Sequence, residues 1–173
     1  MNQDQIKNLV EIVGISAIVA SLIFVGLELR QSQQIAIASQ YQERSKTGAE
    51  FNYRVLESEW KLEQRAEKMA GRIESSSWLP SEFEKNWLEG KTPIDLAKSE
   101  AWAMVNLYIF DNYHFQYESG FMTEEAWLSQ KSRLRSVLAT EPLSRDQIVN
   151  SGDRWGRGFV ELCLEIIADI DED

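Results

Sequence analysis

The chain has 173 residues, of which 43% are hydrophobic and 27% charged, with three prolines and nine glycines. That composition excludes a disordered chain and favours long regular elements in one modest domain. A formal net charge of −10 repels phosphate backbones, and with no clustered basic face in view the expectation is no nucleic-acid partner.

Reading from the N-terminus, the stretch Ile12 to Leu27, IVGISAIVASLIFVGL, carries no charge. As a helix rising 1.5 Å per residue it spans roughly 24 Å, against about 30 Å of bilayer hydrocarbon. Adding Leu9, Val10 and Leu29 supplies the length and leaves Glu11 and Glu28 near the two interfaces. The leading expectation is a single membrane-crossing helix, so that lipid is the first partner. A core or oligomer-buried helix and a signal sequence remain as alternatives. The nearly neutral start MNQDQIK and the lack of an Ala-x-Ala site argue against the signal, and apolar groups all round argue against an amphipathic surface helix. Lys7 on one side against Arg30, Arg44 and Lys46 on the other leans toward a cytoplasmic C-terminal domain. Within the span, Gly14, Ser16, Ala17, Ala20 and Ser21 include two small-xxx-small pairs that let a second helix approach closely.

From Arg30 to Ile73 there is no proline, and Ile35, Ala38, Tyr41, Val55, Leu56, Trp60, Ala66 and Met69 keep a helical period. The anchor is expected to run on as a stalk, with Gly48 its weakest point. Ser75 to Ser77 with Pro80 ends this region. Ser81 with Glu84 reads as a capping box for a short helix closed by Gly90, and Thr92-Pro93 ahead of Asp95 opens the next. That helix runs to Gly120 and is apolar or aromatic on nearly every side from Ala101 to Tyr117, which places it at the centre of a bundle, with Trp102, Tyr108, Phe110, Tyr113, Phe115 and Tyr117 supplying most of the core. Thr123 caps a further helix ending at Glu141-Pro142. Ser144 with Gln147 repeats the capping-box pattern, and a final helix begins near Asp153. No segment alternates with a period of two, so the fold class is all-α: an N-terminal transmembrane helix, continuing as a stalk, then a small helical bundle. The expected division is 1–30 anchor, 31–76 stalk and first bundle helices, and 77–173 bundle.

Two stretches carry a resemblance. GISAIVASLIFVGLELRQSQQIAIASQYQ resembles the start of a large group of uncharacterised bacterial proteins, and DNYHFQYESGFMTEEAWLSQKSRLRSVLATEP resembles that group's aromatic helix, glycine turn and tryptophan-bearing helix. The likeness covers most of the chain and is structural in kind. It implies a single-pass anchor in a bacterial inner membrane and a helical domain, and it carries over no site residue.

Chemistry is sparse. Asp111 and His114, three apart on one helix, share a face and form a speculative polar site, either a satisfied pair or an acid–base pair. His114 is the single histidine, so a di-iron site of two such pairs is not available within one subunit. Cys163 lies in an apolar run and reads as a core residue. No catalytic, cofactor or metal site is expected, and Lys131, Arg133 and Arg135 read as a solvated face. The leading role is membrane-anchored assembly, by self-association or as an accessory subunit of a membrane complex. A pore with Glu11 and Glu28 at its mouths, and an enzyme or receptor with a pocket near His114, are the competing readings.

Overall fold

The computed structural model describes residues 2–74 and 86–172. Every regular element among them is helical, and the chain divides into two compact units, residues 1–40 and 41–173. Helix α1 spans Gln3–Leu56, α2 Glu59–Glu74, α3 Pro93–Glu118, α4 Glu124–Thr140, α5 Pro142–Asn150 and α6 Arg157–Glu172, with a 3-10 turn at Gly152–Arg154.

The regular structure described in the first unit is the N-terminal part of α1. It holds an 18-residue window apolar enough to cross a membrane, and no residue of that window is buried. One long apolar N-terminal helix followed by a helical bundle is the architecture the hydropathy pattern implied.

In the second unit, α3 lies against α2, α4, α5 and α6. Its start and stop are written locally. The Thr92 hydroxyl accepts from the Asp95 N–H at 3.2 Å and the Asp95 carboxylate accepts from the Thr92 N–H at 3.0 Å, a complete capping box followed by proline. At the other end Gly120 takes φ +76°, and its N–H reaches Tyr117 while that of Phe121 reaches Gln116, the paired bonds of a Schellman stop. Thr123 then caps α4 through the Ala126 N–H. Gly90, at φ +74°, closes the short helical stretch before Thr92.

The principal core joins Leu107 and Phe110 of α3, Leu134 and Leu138 of α4, Ile148, and Phe159, Cys163 and Ile166 of α6. Burying each large side chain stabilises by about 1.5–3 kcal/mol. A second cluster sets Val55, Leu62 and Ala66 against Ala97 and Ala101, and a third sets Met69 against Leu96, Ala103 and Leu143.

Four expectations are corrected. Helix α1 does not break at Gly48 but passes through it and ends at Leu56, before Glu57–Ser58. A Cβ there would sit 2.5 Å from the Tyr108 ring, and the neighbouring Ser45 hydroxyl donates to the Tyr108 carbonyl at 2.6 Å, so the glycine marks a close helix crossing. The core of α3 is mainly aliphatic, with Leu96, Ala97, Ala101, Ala103, Val105 and Leu107 buried, whereas Trp102 is 48% exposed and most of the other aromatics only half-buried. Ser144 and Gln147 form no capping box. Glu141 precedes α5, and both residues are buried inside it, because Pro142 at the first helical position already sets the start. The final helix, α6, begins at Arg157 rather than near Asp153, which the 3-10 turn absorbs. The Ser75–Ser77, Pro80 and Ser81–Glu84 signals lie outside the described residues.

Candidate functional site

Asp111 is 2% exposed and sits where three elements meet. Its carboxylate accepts from the Tyr41 hydroxyl of α1 at 2.9 and 3.0 Å and from the Gly156 N–H at 3.1 Å, and pairs with Arg44 at 3.3 Å. Arg44 donates in turn to the Arg154 carbonyl at 2.8 Å. Tyr41 stacks flat on Phe115, with centroids 4.0 Å apart. Gly156 is required by this packing, since a Cβ there would meet the Tyr41 oxygen at 2.9 Å. Burial pushes the Asp111 carboxyl above its ordinary range, and the Tyr41 hydroxyl, the Gly156 N–H and Arg44 pull it back without cancelling the rise. Burial and the adjacent carboxylate push the Tyr41 hydroxyl up.

His114 shares α3 with Asp111 but faces other company. Its ring lies 5.5 Å from that of Trp127 and 6.0 Å from that of Phe159. Burial lowers it below the ordinary histidine value, against the pull of Glu118 and Asp111. Among the described residues no hydrogen bond joins His114 to Asp111. Asp111 therefore acts as a tie between helices, while the imidazole is packed among rings. Asn106 bonds the Trp102 carbonyl one turn back. Cys163 is buried and its thiol is pushed up by burial, which leaves it a core residue. Among the described residues no group of three or more metal-ligating side chains gathers.

Charge of the other sign collects around α2. Lys61, Arg65, Lys68 and Arg72 recur at i, i+4, i+7 and i+11, one face of the helix, with Leu62, Ala66 and Met69 buried beside them and Glu59, Glu63 and Glu67 on the far side. The cationic face lines a groove of about 420 Å³ together with Glu100 and Arg154. Glu100 pairs with Arg65 and Arg72, each at 3.6 Å, and Arg72 also holds the buried Asp146 at 2.9 Å. The sequence reading missed this site. The signal was the cation spacing within a helix whose overall charge is nearly balanced.

In the first unit Glu11, Glu28 and the small residues Gly14, Ser16, Ala17, Ala20 and Ser21 are all exposed. Glu28 lies seventeen positions after Glu11, about 25 Å along a helix axis. No family model, curated protein or solved structure matches the chain.

Proposed function

We propose that the chain is a membrane-anchored helical assembly protein. Its α1 crosses the inner membrane of a bacterium near the N-terminus, and residues 41–173 form a cytoplasmic domain that contacts copies of itself or a larger membrane complex. The observation that carries the reading is the surface of α1. Twelve large apolar side chains from Val10 to Leu29 stand 47–67% exposed around the whole helix. Completing their burial is worth on the order of 10 kcal/mol, comparable to the net stability of a whole domain. Lipid supplies that burial without a partner protein. Arg30, Arg44 and Lys46 beyond the span outweigh Lys7 before it, which favours retention of the following domain. The small side chains at Ser16, Ala17, Ala20 and Ser21 are where a second spanning helix would come closest.

Two measurements test this. Membranes from cells making the full chain are washed with alkaline carbonate, and the protein is expected to stay in the pellet, uncleaved. Recovery of the intact, folded chain in buffer without detergent would remove the anchor. Native mass spectrometry of the detergent-extracted protein is then expected to show several copies or a co-purifying partner, with Ser16→Leu/Ala20→Leu reducing the copy number. A strict monomer with no partner removes the assembly role.

A further inference from the structure

The groove along α2 gathers cations on a chain that is acidic as a whole. We propose that it binds a phosphate ester, the phosphate held by Lys61, Lys68 and Arg154 and the organic part lying on the Trp60 and Phe51 rings. The assignment does not depend on α1 lying in lipid.

Five cations and one carboxylate line the groove among the described residues. Arg65 and Arg72 are turned to Glu100 and Asp146, which fixes the wall they form. Lys61, Lys68 and Arg154 take part in no ion pair among the described residues, so their charge faces the groove unneutralised. The cavity is concave and of a size for a small molecule. Its rim is aromatic: Trp60 is 61% exposed and Phe51 56%, and the Lys61 ammonium sits 5.9 Å from the Phe51 ring centre. Cations over a shallow apolar shelf select a ligand that joins a compact anion to an organic body.

A phosphate ester reaches such a groove either as a soluble metabolite or as a lipid headgroup. Isothermal titration of the full chain in neutral detergent separates the sources, using phenyl phosphate as the soluble probe and dihexanoyl phosphatidic acid, kept monomeric, as the lipid one. Binding of at least one probe is expected, weakening as salt is raised. Lys61→Gln/Lys68→Gln is expected to weaken it about tenfold or more, the loss of one to two charge-assisted contacts. Both lysines lie outside the ion-pair wall, and an unchanged far-ultraviolet circular dichroism spectrum confirms that the variant folds. Comparable binding of both probes supports a soluble phosphate. Tighter binding of the lipid probe that Trp60→Ala abolishes supports a headgroup. No heat with either probe, or binding that the folded double variant leaves untouched, overturns the proposal.

Discussion

Gly48 is the residue at which intrinsic preference and packing disagree most openly. Alanine is the better helix former by about 1 kcal/mol, so propensity alone has Gly48→Ala stabilising α1. Yet the added Cβ would fall 2.5–2.7 Å from three atoms of the Tyr108 ring. Overpacking of that kind typically costs about 1–3 kcal/mol, which outweighs the propensity gain, and we expect Gly48→Ala to lower stability by about 1 kcal/mol net. Thermal melts followed by circular dichroism check this, and a smaller side chain at Tyr108 should recover part of the loss. A variant that melts higher than the parent would return Gly48 to the role of a weak point. The capping residues are the opposite case: Thr92, Asp95, Gly120 and Thr123 were legible because their effect is confined to one turn of backbone. Ser144 and Gln147 carry the same letters as a cap and are buried instead. A four-residue pattern does not say which side of a helix start it falls on.

Among elements, the tie at Asp111 couples α1, α3 and the segment before α6, and each partner loses something different when it goes. Asp111→Ala leaves the Tyr41 hydroxyl and the Gly156 N–H without an acceptor and is expected to cost about 3 kcal/mol. Asp111→Asn keeps an acceptor and removes a charge that burial disfavours, so it should cost about 1 kcal/mol or less. Denaturant titration of the two variants checks the order, and equal losses would show that the charge and not the acceptor holds the elements together. That Asp111 and His114 are polar groups on the central helix was legible in the sequence. Their separation into a tie and a packed ring was not, because it depends on Tyr41 and Gly156, 70 residues before Asp111 and 45 after it. The cation face of α2 is the reverse: its spacing is entirely local and was there to be read. It hides in totals, since Glu59, Glu63 and Glu67 balance it along the same helix.

At the scale of the whole molecule, pH acts through His114. Its folded value lies below the ordinary 6.5, so between the two the unfolded chain takes a proton that the folded chain refuses. Stability therefore falls as pH drops below about 6.5 and levels off beneath the folded value. Asp111 has the opposite sign: its raised value means that the folded state holds a proton more readily, which favours folding only near the acid end. Melts at about pH 7 and about pH 5.5 should show a loss that His114→Phe largely removes; an undiminished loss in that variant would place the acid sensitivity elsewhere. The sealed position of Cys163 has a practical corollary. With its sulfur enclosed between α3, α4 and α6, two intact copies cannot be bridged by oxidation, however closely they associate. A covalent dimer on a non-reducing gel would thus register chains that had opened, and the census of natural complexes is best taken by methods blind to thiols.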